Sequence, residues 1–68
     1  MNLASLSEPE VLVLDQLVLG KSNLEIAAHI KRSEKTVKAH VTSIMQKLGL
    51  PSRHKVIAQY YIQQRDAV

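Results

Sequence analysis

The sequence of 68 residues contains no cysteine, which excludes disulfides and the thiolate metal sites that staple many small domains. Its only aromatic side chains are Tyr60 and Tyr61, too few for a platform that stacks the bases of single-stranded nucleic acid. The longest apolar run, residues 11–14, is far too short to span a membrane, and no signal-peptide pattern opens the chain. We therefore expect one small cytoplasmic domain with an aliphatic core, no membrane partner and no cofactor.

The positive charge of the chain is concentrated in one block. The formal net charge is +3. Residues 31–55 contain seven Lys or Arg side chains against Glu34 alone, whereas residues 1–30 contain four acidic side chains against Lys21. A contiguous basic block is typical of a protein that binds a polyanion, although a solvated surface could have the same composition.

Helix start and stop signals are legible in the first half of the chain. Ser-x-x-Glu capping boxes begin helices at Ser7 and Ser22. The first helix is predicted to run to about Leu19, because Gly20 follows it as a stop signal. The second helix is short and is predicted over residues 23–30.

The second half predicts two longer helices. Ser33 caps a helix over residues 34–48, and Ser52 caps one that runs to about Gln64. The third helix carries apolar residues at helical spacing, at Val37, Val41, Ile44 and Leu48. No segment alternates with the period of a strand, so the sequence predicts an all-α fold of four helices.

The second and third predicted helices match a helix-turn-helix arrangement. They are joined by a turn at Lys31 and Arg32. In this motif the second helix of the pair enters the major groove while the first braces across the DNA backbone. The basic block begins at the same turn, so charge and topology together favour double-stranded DNA binding over a merely solvated surface.

One set of residues keeps its spacing through all four helices: Leu6-Ser7, Glu10, Val13-Leu14, Gly20, Ser22-Asn23, Glu25-Ile26-Ala27, Ser33-Glu34, Thr36-Val37-Lys38, His40-Val41, Ile44, Lys47-Leu48-Gly49-Leu50 and Arg53. This string resembles the LuxR-type helix-turn-helix domain of NarL/FixJ response-regulator output domains, LuxR-like quorum sensors and GerE-like spore regulators. We expect such a domain over residues 6–64, after an N-terminal arm or linker remnant at 1–5 and before a tail at 65–68.

The resemblance implies bacterial transcription regulation, either as the output domain of a response regulator in a two-component system or as a free-standing GerE-like regulator. It implies double-stranded DNA as the partner, with RNA polymerase as a further candidate. The third helix would face the bases with Lys38, Ala39 and Thr42. Phosphate contacts are expected from Ser22, Asn23, Ser33, Lys35, Thr36, Lys47 and Arg53. The fourth helix would form a weak homodimer through Ile57, Tyr60 and Tyr61.

The fourth helix leaves an alternative open, because it carries Tyr60, Tyr61 and Ile62 in succession and one helical face cannot bury all three. If a second subunit covers the remaining apolar face of this helix, the result is the dimer that the resemblance implies. No dimer is required if Leu3 and Leu6 of the N-terminal arm cover that face, or if Tyr60 packs in the core beside an exposed Tyr61.

Four positions depart from the usual family pattern. Pro9 and Leu12 stand where an Arg and a Glu are usual, so a customary charged network on the first helix is missing. Lys31 and Arg32 stand where the turn usually has Gly and an aliphatic residue. A left-handed Lys31 would cost on the order of 1 kcal/mol relative to Gly, and Arg32 is expected to lie on the surface.

Three alternatives stand beside LuxR-type DNA binding: promoter recognition within DNA binding, a protein-interaction module, and an enzyme. Promoter recognition in the manner of a sigma factor's last domain shares the motif, but the string from Ser22 to Lys38 favours the LuxR type. A protein-interaction module using the fourth helix would bind no DNA, and charge reversal at Lys38 separates the two. The three histidines lie 11 and 14 residues apart with no clustered carboxylate, and no nucleophile–base pair has a meaningful spacing. We therefore expect neither a metal site nor an enzyme.

Overall fold

The structure is a computed structural model that describes residues 3–66. These residues form a short 3-10 turn and four α-helices. The elements are the turn Leu3–Ser5 and the helices α1 (Glu8–Leu17), α2 (Asn23–Ile30), α3 (Glu34–Leu48) and α4 (Arg53–Asp66). These residues contain no strand, so the predicted four-helix, all-α fold is confirmed. Residues 1–2 of the predicted arm and 67–68 of the predicted tail lie outside the described residues.

Serine caps begin the helices as predicted. The Ser7 hydroxyl accepts a hydrogen bond from the Glu10 N–H at 3.4 Å, and the Glu10 carboxylate accepts one from the Ser7 N–H at 2.8 Å. Ser22 forms the same reciprocal capping box at α2. Ser33 and Ser52 each accept a backbone N–H from the first turn of α3 and α4. Each cap satisfies a donor that the first helical turn would otherwise leave unpaired.

Two helix ends differ from the prediction by two residues. Helix α1 ends at Leu17 rather than Leu19, because the N–H groups of Leu19 and Gly20 bond to carbonyls three residues back and tighten the last turn. Gly20 then takes a left-handed φ of 83°. Helix α4 continues to Asp66 rather than ending at Gln64, because the next two residues, Arg65 and Asp66, are neither Gly nor Pro. The bounds of α2 and α3 are as predicted.

Helix α3 is the centre of the packing and contacts all three other helices. The buried apolar side chains come from every helix: Val13, Leu14, Leu17, Val18, Ile26, Ala27, Val37, Val41, Ile44 and Val56. The predicted stripe of α3 is buried at three of its four positions, and Leu48 is half-buried. One face of α3 is therefore fixed in the core, and its opposite face is exposed to solvent. Within the described residues no helix has the length and apolar character needed to cross a membrane.

Candidate nucleic-acid interface

The first half of α3 presents a polar, cationic face to solvent. Its buried side is held by Val37 and Val41. Four exposed side chains fall within about a third of a turn on the other side, by the helical period: Lys35, Lys38, Ala39 and Thr42. The three residues predicted to face DNA bases therefore share one accessible face with a predicted phosphate contact.

A cleft of about 480 Å³ lies between the starts of α2 and α3. It is lined by Asn23, Glu34, Lys35 and Lys38. Two ammonium groups and one carboxamide thus converge on a concave surface, with Glu34 as the acidic member of the lining. The cleft joins a predicted phosphate contact on α2 to the predicted contacts on α3.

The turn between α2 and α3 takes the conformation expected for this motif. Lys31 has a φ of 58° and a ψ of 46°, the left-handed region that usually takes glycine. The N–H groups of Lys31 and Arg32 both bond to the Ala27 carbonyl, which closes the end of α2. Arg32 is exposed, as predicted. The turn geometry is therefore kept without glycine, at a cost on the order of 1 kcal/mol for the left-handed backbone of Lys31.

The capping serines are already engaged in the protein. The Ser22 hydroxyl accepts from the Glu25 N–H at 3.2 Å, and the Glu25 carboxylate accepts from the Ser22 N–H at 2.9 Å. The Ser22 backbone N–H is the first cause of a lowered pKa of Glu25. Ser33 accepts from the Thr36 N–H and donates to the Thr36 hydroxyl at 2.9 Å. At both helix starts the serine oxygen is therefore engaged as a cap, and at Ser33 the hydroxyl proton is engaged as well.

Lys47, predicted as a phosphate contact, forms an internal ion pair. Its ammonium lies 2.7 Å from a carboxylate oxygen of Glu10, whose side chain is 5% exposed. The other Glu10 oxygen accepts a hydrogen bond from the Ser43 hydroxyl. Three hydrogen bonds lower the pKa of Glu10 from the ordinary 4.5 to about 2. In order of decreasing effect, their donors are Lys47, the Ser43 hydroxyl and the Ser7 N–H. Burial opposes this shift, so the hydrogen bonds outweigh desolvation.

Sequence reasoning missed this cluster. The sequence predicts Glu10 as the acidic member of a capping box and as one position of the family string, and one of its oxygens does fill the capping role. Ser43 and Lys47 are four residues apart and therefore lie on the same side of α3. That spacing was the available signal, but it does not say which acidic residue of the chain faces the pair. The pair ties α1 to the second half of α3, so Lys47 has a structural role whatever its role toward DNA.

Arg53, also predicted as a phosphate contact, has two internal acceptors. Its guanidinium donates to the Asn23 side-chain oxygen at 2.7 Å and to the Lys21 carbonyl at 3.1 Å. Lys21 in turn donates from its ammonium to the Gln16 side chain at 2.6 Å. The start of α4 is thereby joined to the start of α2 and the loop before it. The structure brings the two predicted contacts, Asn23 and Arg53, directly together.

The predicted dimer residues of α4 have contacts within the chain. Ile57 and Tyr60 are half-buried and pack against the core. Tyr61 is 47% exposed, and its hydroxyl donates to the Val18 carbonyl at 2.5 Å. Ile62 is 49% exposed. Core packing of Tyr60 beside an exposed Tyr61 is therefore what one chain shows, and a dimer through this helix stays a prediction.

A second cleft, of about 310 Å³, lies where the chain departs from the expected family pattern. Three of the four departing residues line it, namely Pro9, Leu12 and Arg32. The rest of the lining is Glu8, Ile30 and His40. Leu12 is 51% exposed, so its replacement of a usual Glu leaves an apolar spot on α1. Among residues 3–66, no three His, Cys, Asp or Glu side chains are grouped so that they could hold a metal ion.

The fold and this surface define a helix-turn-helix domain in which α3, the second helix of the motif, carries a cationic face. Residues 4–59 match the family described as bacterial regulatory proteins, luxR family. The chain therefore belongs to the luxR family of bacterial regulatory proteins, and the resemblance seen in the sequence is confirmed. This is a family of DNA-binding transcription regulators rather than a class of enzymes.

Individual relatives agree with the family. The chain is 40% identical over 63 residues to the nitrate/nitrite response regulator protein homolog of Haemophilus influenzae, which covers 93% of this chain and 30% of that protein. It is 40% identical over 62 residues to the nitrate/nitrite response regulator protein NarP of Escherichia coli, covering 91% of this chain and 28% of that protein. It is 39% identical over 54 residues to the spore germination protein GerE of Bacillus subtilis, covering 79% of this chain and 73% of that protein. The chain thus spans less than a third of the response regulators that it matches.

Proposed function

We propose that this chain binds double-stranded DNA by inserting α3 into the major groove, as the DNA-binding part of a transcription regulator. The observation that carries the proposal is the exposed face of α3, which places Lys35, Lys38, Ala39 and Thr42 together on a helix-turn-helix frame. The relatives named as response regulators support a role as an output domain, and the similarity to GerE supports a small free-standing regulator.

Base recognition is proposed for the three residues at the middle of this face. The Lys38 ammonium is the strongest donor among them and suits guanine O6 or N7. The Thr42 hydroxyl donates to the Lys38 carbonyl at 3.1 Å, so the Thr42 methyl, like that of Ala39, is the group available to a thymine methyl. Because such a set forms few base-specific hydrogen bonds, we expect DNA shape to supply part of the selectivity.

Phosphate binding is proposed around both edges of this face. Lys35 is exposed and free to act as a point charge. Thr36, Ser33 and Ser22 sit at helix starts, where backbone N–H groups and the helix dipole attract an anion. For Lys47 and Arg53 a direct phosphate contact stays a prediction, since each would have to combine it with the protein contacts given above.

A weak dimer through α4 is proposed on DNA with two related half-sites. The exposed fractions of Tyr61 and Ile62 supply apolar surface for it. Ile57 and Tyr60 would contribute only their uncovered edges, because they already pack on the core. A contact of this size is small for a stable dimer, so DNA should reinforce it by holding two copies side by side.

The test is charge reversal at Lys38, with Arg65→Glu as the control that changes the same charge on the exposed end of α4. We expect Lys38→Glu to abolish binding to a mixed-sequence duplex at low salt while thermal unfolding is unchanged, and Arg65→Glu to bind nearly as wild type. Lys38→Ala should weaken binding to a selected sequence by roughly 1 to 3 kcal/mol. Equal binding by wild type and Lys38→Glu would overturn the proposal and favour a protein-interaction module.

A further inference from the structure

Arg53 is the first residue of α4 and holds the first residue of α2. Its two bonds, to the Asn23 side chain and the Lys21 carbonyl, come from different nitrogen atoms of one guanidinium. The guanidinium is planar, and its donors have a fixed fork geometry. A lysine at this position could supply the charge but could not make both bonds with the same geometry.

This contact fixes the orientation of the Asn23 carboxamide. A carboxamide has one oxygen, which accepts, and one NH₂ group, which donates, whereas a guanidinium has donors only. The atom of Asn23 that faces Arg53 must therefore be its oxygen, and the NH₂ group must face away. No other residue among 3–66 is hydrogen-bonded to that NH₂ group.

The carboxamide lies where the proposed DNA surface needs a donor. Asn23 lines the cleft of about 480 Å³ together with Lys35 and Lys38. Its backbone N–H is the first of α2 and has no carbonyl acceptor within the helix, and the Ser22 hydroxyl accepts from Glu25 instead. Side chain and backbone of Asn23 thus offer donors beside the two lysines.

We propose that Arg53 is a positioning residue for DNA binding: by holding the Asn23 oxygen, it keeps the Asn23 NH₂ group directed at a DNA phosphate. This inference rests on the proposed function and assigns Arg53 a role that acts through Asn23 rather than by its own contact. It also explains why a cation stands at the first position of α4, where the helix dipole favours an acidic residue.

The orientation itself is measurable in the free protein. Arg53→Lys should shift the side-chain NH₂ resonances of Asn23 in proton–nitrogen spectra, because the oxygen of the same carboxamide loses the guanidinium donor of Arg53. Arg65→Lys makes the same substitution on the exposed end of α4 and should leave those resonances unchanged. Unshifted Asn23 resonances in Arg53→Lys would overturn the contact and with it the inference.

The consequence for DNA is measured as a double-mutant cycle with a short mixed-sequence duplex. Asn23→Ala should lower affinity about 10-fold, the worth of one hydrogen bond to a charged group. Arg53→Lys should lower it by a similar factor, and the double variant should bind no worse than Asn23→Ala alone. The slope of affinity against salt should stay at the wild-type value in all three, since no phosphate-neutralising charge is removed.

Two results would overturn the positioning role alone. One is additive losses in the cycle; the other is a salt slope reduced by about one unit in Arg53→Gln, which would mean that Arg53 neutralises a phosphate itself. Wild-type protein that does not bind the duplex at low salt would instead overturn the proposed function, and this inference with it.

A variant that keeps the acceptor separates positioning from stability, should Arg53→Lys unfold. Asn23→Asp still accepts from Arg53 but has no NH₂ group, so it should unfold at or above the wild-type temperature and yet bind DNA more weakly. Leu24→Asp adds the same charge at the neighbouring, 66% exposed position and controls for repulsion by phosphate. Equal affinities of Asn23→Asp and Leu24→Asp would overturn the inference.

Discussion

The buried carboxylate of Glu10 should make the unfolding free energy of this domain depend on pH, and a single substitution at Glu10 should remove that dependence. Glu10 is 3% exposed and accepts hydrogen bonds from Lys47, Ser43 and Ser7. Its folded-state pKa of about 2 lies below the ordinary 4.5. A depressed pKa means that the ionised form stabilises the fold, so this contribution is present above about pH 5 and is lost as the pH falls through about 2.

The size of the effect follows from the two pKa values. The difference between 4.5 and about 2 corresponds to at most about 3 kcal/mol. Because the Lys47 side chain is 40% exposed, solvent screens part of its attraction, and we expect about 2 kcal/mol. A domain of this size is stable by only about 3 to 10 kcal/mol, so the loss should lower the unfolding temperature by roughly 10 °C.

Glu10→Gln isolates this contribution from those of the other acids. Near neutral pH the variant should be about 2 kcal/mol less stable than wild type in urea unfolding followed by circular dichroism. The difference in stability should close as the pH falls from about 5 to 2, because wild type then loses the stabilisation by the ionised Glu10 carboxylate, which the variant lacks. Ser43→Ala keeps the ion pair and should cost only about 1 kcal/mol. If wild type and Glu10→Gln lose stability in parallel on acidification, the reasoning is refuted.

Three further predictions concern stability. Lys31→Gly should raise it by up to about 1 kcal/mol in urea unfolding, because glycine takes the left-handed φ of 58° without strain; an unchanged midpoint would contradict this. Ile44→Glu should leave no cooperative thermal transition, since Ile44 is 0% exposed and an unpaired charge would enter the core. Tyr61→Phe should cost about 1 kcal/mol of unfolding free energy by removing the donor to the Val18 carbonyl, and a variant as stable as wild type would show that this bond contributes nothing.

Local signals made the helices predictable. The starts of α2 and α3 followed from Ser22 and Ser33, whose side chains cap their helices within three residues of sequence. The sequence raises a left-handed Lys31 as a possibility, because Gly is usual at this position of the turn, and the structure shows that Lys31 is left-handed. The end of α1 was less predictable, because Gly20 marks a stop but does not say how many residues the tightened last turn takes up.

Long-range partners were not predictable. Glu10 and Lys47 are 37 residues apart, and Asn23 and Arg53 are 30 apart, so nothing in local sequence pairs them. Each of these side chains also had a plausible local or DNA-facing role. The charge block correctly indicated a cationic surface on α3, but composition alone does not show which of its cations are bound within the protein.

The most direct test of DNA recognition by α3 is selection from a randomised double-stranded DNA pool, with wild type and Lys38→Ala in parallel. We expect wild type to enrich an inverted repeat and Lys38→Ala to enrich the same repeat with one base position relaxed in each half. Pools that stay random for wild type at every salt concentration, or identical selected sequences for both proteins, would contradict base recognition by Lys38 on α3.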